Sequence, residues 1–349
     1  MTRFWTDTVN RLTPYVPGEQ RTGDDIVKLN TNENPYPPSP AVMQAIHAVS
    51  GHSLRRYPDP ESVELRQTLA DYHGVSLENV FVGNGSDEIL ALAFLAYFTN
   101  DLRLQYPDIT YSFYPVYCDL YAIESRIIPL EPDFSLSLDR FTPNEGSIVF
   151  PNPNAPTAMA TPFEAIADLL QRHTEQVLLV DEAYSDFGAR SAIPLIHKHP
   201  NLLVSHTFSK SRSLAGMRLG VAFGDASLID GLQRVKNSFN SYPVDALAQV
   251  AGAASVRDES YYAKTTQAII KTRAQSVDDL RARGFEVLPS AANFVFAKAP
   301  ENGAKPLFDK LSDSGVLVRY WNKPRLSDWL RISIGTDDDM RRLMACIDA

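Results

Sequence analysis

Through the first two thirds of the chain, apolar residues switch between a helical repeat and short continuous runs. Ser39 and Pro40 open a segment whose apolar positions Val42, Met43, Ile46 and Val49 share one helical face. Thr161-Pro-Phe-Glu164 reads as a capping box, and Ile166, Ala167, Leu169 and Leu170 continue it as an amphipathic helix. Between such segments lie Leu102–Tyr106, Ile127–Leu130, Ser147–Phe150, Val177–Val180, Leu202–Ser205 and Gly220–Phe223. These runs are aliphatic, too short for helices, and bounded by polar or proline-containing stretches.

Strands alternating with helices from about 41 to 224 predict an α/β fold with a mostly parallel central sheet, covered by helices on both faces. Ligands in such folds bind beyond the carboxyl ends of the strands, so a polar motif just after an apolar run is a site candidate. After Tyr242-Pro243 the pattern changes. A long helical stretch from Val244 to Ala282 precedes short strands at Phe285–Leu288, Asn293–Ala297 and Leu330–Ile334, which predicts a smaller α+β unit. The expected division is an N-terminal arm over 1–30, a large unit over 31–243 and a small unit over 244–349 against which the arm packs. Pro14, Pro17 and Gly18 mark the arm as extended.

Composition narrows the functional classes. At 349 residues, with 44% hydrophobic and 21% charged, the chain can bury more than one core. A net charge of −9 disfavours nonspecific nucleic-acid binding, although a few arginines gathered in one pocket would still hold a small anion. Met1–Thr13 carries no apolar core of a signal peptide, and the longest apolar stretch, Ile89–Phe98, is too short to cross a bilayer. With only Cys118 and Cys346, neither a disulfide framework nor a cysteine-based metal site is expected. A reducing cytoplasm fits best.

Four motifs follow apolar runs. Asp181 ends Val177-Leu-Leu-Val180 within Asp181-Glu-Ala-Tyr184. It is either a helix-capping carboxylate or one that keeps a heterocyclic nitrogen protonated. Lys210, in Thr207-Phe-Ser-Lys210-Ser, follows Leu202–Ser205 and precedes Arg218 by eight residues. A lone loop lysine is ordinarily a surface charge, but one whose pKa is lowered forms a Schiff base with an aldehyde cofactor. Gly83-Asn-Gly85-Ser86-Asp87-Glu88 lies between an apolar run and a helix, where glycines and unpaired N–H groups suit a phosphate. Tyr111-Ser-Phe-Tyr114 offers either core aromatics or a flat surface for a heteroaromatic ring.

In this order and spacing the motifs resemble those of the fold-type-I pyridoxal-5′-phosphate (PLP)-dependent aminotransferases, over nearly the whole chain. The resemblance implies that Lys210 carries PLP, that Asp181 pairs with its pyridinium nitrogen and that Tyr184 reaches its ring hydroxyl. It further implies that Arg218, Ser86, Asp87 and Ser209 hold the cofactor phosphate and that Tyr111 stacks on the ring. Leu29-Asn-Thr-Asn-Glu-Asn-Pro35, Arg56-Tyr57-Pro58-Asp59, Asn237-Ser-Phe-Asn-Ser-Tyr-Pro243 and Asn322-Lys-Pro-Arg-Leu-Ser-Asp-Trp-Leu-Arg331 are similar to the histidinol-phosphate branch of the class-II subfamily. For that branch the implied reaction exchanges histidinol phosphate and 2-oxoglutarate for imidazole-acetol phosphate and glutamate, in histidine biosynthesis. Arg319 and Arg331 are then expected to bind the substrate anion and Tyr15 to contact substrate. Tyr57 is expected to enter the partner's site in a homodimer.

The chain departs from the family at Pro151-Asn-Pro-Asn154-Ala155-Pro156-Thr157, where the family has an asparagine at the position of Ala155. That asparagine donates to the ring hydroxyl oxygen. Either Tyr184 is the chief donor here or Asn154 reaches in from the next position, and the loss of a donor should make the ring oxygen more basic. Aromatic-amino-acid aminotransferases and threonine-phosphate decarboxylases share the same core residues and remain the alternatives.

Overall fold

A computed structural model of the chain describes all residues except 1, 2, 16, 17, 22, 24, 101, 301 and 302. Met1 and Pro17, which entered the reading of the N-terminus and the arm, lie outside the described residues.

Seven strands form the principal sheet, in the spatial order Val80–Asn84, Leu219–Gly224, Leu202–Thr207, Leu178–Asp181, Ile148–Pro151, Leu104–Pro107 and Ser125–Ile128. Leu219–Gly224 runs antiparallel to both of its neighbours, and every other pairing is parallel. The expected mostly parallel sheet is present, with strand ends shifted by at most two residues. The continuous apolar runs reflect burial on two faces. Leu178, Val180, Leu202 and Val204 enter one core, whereas the intervening Leu179 and Leu203 enter another on the opposite face.

Two local expectations fail. The helix Phe163–Arg172 begins after Pro162 with no side-chain cap. Thr161 instead receives and returns hydrogen bonds with Asn152, since its N–H donates to Asn152 Oδ1 at 2.8 Å. A tertiary partner has displaced the local capping box. The long helical stretch after Val244 is two helices, Ala246–Arg257 and Glu259–Ala282, broken at Asp258, whose side chain caps the second.

That break matters for the organisation. Ala248, Ala251, Ala253 and Val256 belong to the core of the principal sheet, whereas Ile269 and Leu280 belong to a separate core. The change of core therefore comes after Ala246–Arg257 rather than at residue 243. The second core lies against a four-stranded antiparallel sheet ordered Arg319–Tyr320, Trp329–Ser333, Phe294–Lys298 and Glu286–Val287. The arm is not wholly extended: it holds the short helix Asp7–Arg11 and the strand Val27–Lys28. That strand pairs in parallel with Val316–Leu317, so Val27 and Leu29 join the second core.

Candidate active site

One edge of the principal sheet collects the polar motifs. Asp181 ends its strand, Lys210 lies just past Leu202–Thr207, and Tyr111 follows Leu104–Pro107. Arg218 reaches the same edge by a different route. It immediately precedes Leu219–Gly224, and because that strand is reversed, its beginning lies where its neighbours end. Arg218 takes the left-handed backbone, with φ of 51°, to turn into it. A non-glycine residue held in that region costs energy and marks a site where placement of the side chain matters.

Between the two cores and under the arm lies a cavity of about 340 Å³. Tyr15, Ser86, Asp87, Tyr111, Asp181, Tyr184, Ser209, Lys210, Arg218, Arg319 and Arg331 all line it, together with Ala155. Two expected residues do not. Asn154 is buried with its amide turned away, donating to Ile109 O and to Thr157 Oγ1, each at 3.0 Å. The alternative that Asn154 substitutes for the missing donor at Ala155 is therefore set aside. Tyr57 is 81% exposed and stacks on Tyr242 with ring centroids 4.6 Å apart, outside the cavity of its own chain.

Asp181 accepts hydrogen bonds from Ser205 Oγ at 3.1 Å and Tyr114 Oη at 3.2 Å. Burial nevertheless pushes its carboxyl up to about 6, with the nearby Asp87 adding to the rise against those hydrogen bonds. Among the described residues no cation pairs with it. Lys210 Nζ donates to Thr31 O at 2.9 Å. Burial and the positive charge of Arg331 bring its ammonium down to about 8, while Glu33 and Asp87 oppose the shift. An amine in that range is neutral often enough at physiological pH to act as nucleophile and base.

At the other end, the helix Gly85–Tyr97 begins with Ser86 and Asp87 in the cavity wall and no side-chain cap. Glycine is required twice here. A Cβ on Gly85, whose φ is +82°, would lie 2.6 Å from Arg218 Nη2, and one on Gly220 would lie 2.5 Å from Ser86 N. Asp87 ties this corner together, taking Arg218 Nη2 at 3.2 Å and Tyr111 Oη at 2.7 Å.

Arg319 and Arg331 lie opposite each other in the antiparallel register of the second sheet. Arg331 Nη2 donates to Asn30 O at 2.7 Å, while its Nε is buried with no partner among the described residues. Like charges facing one another across strands repel, an arrangement that an anion between them relieves. Both arginines, with Tyr15, Tyr111 and Ala155, also border an adjoining cavity of about 380 Å³ that extends to Tyr106, Trp321 and Lys323.

Several residues of the site were quoted in the sequence motifs without being given their role in it. Asn30, Thr31, Asn32 and Glu33 form a wall of the cavity, and Asn34 Nδ2 donates to the carbonyls of Lys210 and Ser211 at 3.0 and 3.1 Å. The signal was the dense polar run Asn30–Asn34 after Leu29, but no local periodicity ties it to Lys210. Tyr114, given as a core aromatic or a stacking surface, is a fully buried core aromatic that also donates a hydrogen bond to Asp181.

These residues fit the cofactor that the sequence resemblance implies. A buried carboxylate without a cationic partner suits a pyridinium nitrogen, and a glycine-cleared helix start beside an arginine suits a phosphate. A near-neutral lysine suits an aldehyde. Comparison with known proteins agrees. The family model for aminotransferase class I and II matches residues 24–347. The chain is 51% identical over 343 residues to histidinol-phosphate aminotransferase 1 of Hydrogenovibrio crunogenus, covering 98% of this chain and 96% of that one. It is 50% identical over 349 residues to histidinol-phosphate aminotransferase of Chromohalobacter salexigens, covering 100% and 99%. Among solved structures, histidinol-phosphate aminotransferase from Sinorhizobium meliloti in complex with pyridoxal-5′-phosphate superposes with a TM-score of 0.88 at 26% identity, covering 99% of this chain and 96% of that one. With its matched length and the polar edge of its reversed-strand sheet, the chain belongs to the class I and II aminotransferases and, among them, to the histidinol-phosphate aminotransferase family.

Proposed function

We propose that this aminotransferase uses PLP to exchange the amino group of histidinol phosphate with 2-oxoglutarate, giving imidazole-acetol phosphate and glutamate in histidine biosynthesis. The observation that carries the substrate reading is the Arg319–Arg331 pair, set across neighbouring strands in one cavity wall with a buried, unpartnered Arg331 Nε. One substrate brings a phosphate and no carboxylate, and the other brings two carboxylates. A guanidinium fork accepts either bidentately. The adjoining cavity, with Tyr15, Tyr106 and Trp321 on its walls, has room for an imidazole ring.

In this reading Lys210 is the amine that holds the cofactor aldehyde, and Asp181 holds the ring nitrogen. Tyr184 would donate to the ring hydroxyl oxygen, and Tyr111 would offer its ring as a stacking surface. Arg218, Ser209, Ser86 and Asp87 surround the phosphate. When bound, the cofactor supplies the electron sink that makes the substrate Cα–H acidic. Lys210 Nζ, once released from the aldehyde and neutral, would take that proton, with Thr31 O 2.9 Å away as its neighbour in the cavity wall. Arg331 and Arg319 hold the anionic end so that Cα faces the lysine, which converts proton transfer into a step between fixed partners.

The reading extends to a homodimer in the cytoplasm. Tyr57 and Tyr242 form an exposed aromatic stack, and Phe239 nearby in sequence is 82% exposed, which suits a surface covered by a second copy. Free thiols at Cys118 and Cys346 suit a reducing compartment. No helix among the described residues is long and apolar enough to cross a membrane. The division used here is an arm to about residue 30, a larger unit through Ala246–Arg257 and a smaller unit beyond it.

Steady-state kinetics test the proposal. Saturable glutamate formation from histidinol phosphate, with phenylalanine far slower and no carbon dioxide from O-phosphothreonine, is expected. Intact PLP binding without activity on histidinol phosphate would overturn the substrate assignment.

A further inference from the structure

The polar run Asn30–Asn34 holds a residue whose place in the site is set by neither packing nor catalysis alone. Asn32 is 1% exposed and has a left-handed backbone, with φ of 56°. Its backbone N–H donates to Ser333 Oγ at 2.9 Å, and Ser333 Oγ donates in turn to Asn32 Oδ1 at 2.8 Å. Asn293 Nδ2 donates to Asn32 O at 3.0 Å. The remaining amide group, Asn32 Nδ2, donates to Tyr184 Oη at 3.1 Å.

This chain of donors has a direction. Ser333 has one hydroxyl proton, and because its oxygen already accepts the Asn32 N–H, that proton goes to Oδ1. Turning the Asn32 amide over would leave the Ser333 proton without an acceptor and put two donors against one oxygen. Ser333 is 2% exposed, so water does not repair the loss. The amide nitrogen therefore faces Tyr184. A phenol oxygen that accepts a hydrogen bond there must give its own proton elsewhere, and no described protein acceptor takes it. The side of Tyr184 that remains is the cavity, where Ala155 offers no side-chain donor.

We propose that Asn32 is a positioning residue that, locked by Ser333, fixes Tyr184 as the hydrogen-bond donor to the cofactor's ring oxygen, at a site where Ala155 brings no side-chain donor. The inference rests on the reading of Tyr184 given above. It explains why a polar residue in a left-handed turn is buried between the two cores: from there one amide reaches both Ser333 on the second sheet and Tyr184 beside the first.

The test is a spectrophotometric pH titration of the PLP-loaded enzyme, with Asn32→Asp, Ser333→Ala, Tyr184→Phe and the Asn32→Asp/Tyr184→Phe double variant. Removing the donor by Tyr184→Phe should raise the midpoint by about one pH unit, the scale of one hydrogen bond to a charged group. Asn32→Asp turns the donor into an acceptor that draws the phenol proton away, and should raise the midpoint comparably. In the Tyr184→Phe background it should add nothing. Ser333→Ala, which stays neutral and lies off the cavity, should move the midpoint the same way by less. If Tyr184→Phe shifts the midpoint while Asn32→Asp and Ser333→Ala do not, the positioning role is wrong and the tyrosine reading stands. An Asn32→Asp shift that persists undiminished in the double variant would mean a through-space charge effect, and also overturns the role. A wild-type midpoint in Tyr184→Phe would overturn the reading of Tyr184 itself.

Discussion

Lys210 owes its chemistry to its surroundings. In water a lysine ammonium titrates at 10.5, and here burial first, then Arg331, lower it to about 8. The neutral fraction therefore grows as pH rises through about 8, well before that of a surface lysine. Competitive acylation of the cofactor-free protein, read by mass spectrometry, should show Lys210 titrating near 8. Arg331→Leu removes a like charge and should move that midpoint upward. A midpoint that stays put would mean burial acts alone. Lys210→Ala should abolish transamination, and borohydride reduction of the loaded enzyme should tag this lysine and no other. Asp181 shows the same principle with the opposite sign, since burial favours its uncharged form until a cation is brought to it.

At the level of elements, the reversed strand Leu219–Gly224 does most to assemble the site. It delivers Arg218 from its beginning and lays Gly220 against the Gly85–Ser86 turn. The close approach leaves no room for a side chain, so Gly220→Ala must push the helix start away from Arg218. We expect a loss of about 1–3 kcal/mol in stability from overpacking. PLP affinity should weaken at least about tenfold, because each 1.4 kcal/mol of lost contact is that factor. Fluorescence titration with PLP measures it, and an unchanged Kd would show that the turn is not part of the phosphate cradle. Of the sequence-level expectations, the strands and the helix Phe163–Arg172 agree best, because two-sided burial and one-faced burial leave different periods. The helix Pro40–His47, by contrast, ends before Val49 and leaves Met43 exposed. The capping box at Thr161 failed because Asn152, nine residues earlier, offers a better partner once the chain has folded.

For the whole molecule, two consequences follow from how the elements pack. His73 sits edge-on to Phe223, ring centroids 4.6 Å apart, and burial, with His206 nearby, lowers its pKa from 6.5 to about 4. Between those values the unfolded chain binds more protons than the folded one. The contribution to stability is thus complete above pH 6.5 and is lost as pH falls towards 4. Urea midpoints measured across that window should fall less steeply for His73→Phe than for the wild type, and parallel curves would refute the assignment. The second consequence concerns assembly. If Tyr57 serves the partner's site, then mixing inactive Tyr57→Ala with inactive Lys210→Ala should restore part of the activity, because one site of each hybrid receives both intact residues. Mixtures no more active than their components would confine Tyr57 to its own chain.

Much of this protein was legible along the chain. The alternating strands and helices, and the motifs around Lys210, Asp181, Arg218 and Gly85, are local patterns set by two-sided burial, turn geometry and the placement of polar groups after strands. The residues that those motifs meet are not local. Asn32 and Ser333 are 301 positions apart, Lys210 and Thr31 are 179 apart, and Arg319 and Arg331 face each other only through their strand register. Sequence spacing carries no record of such distances. The direction of the Tyr184 proton, the orientation of Asn154 and the core to which Ala246–Arg257 belongs were decided by tertiary packing. Each depends on which buried donor finds an acceptor, or which apolar face finds a partner, once water has been excluded.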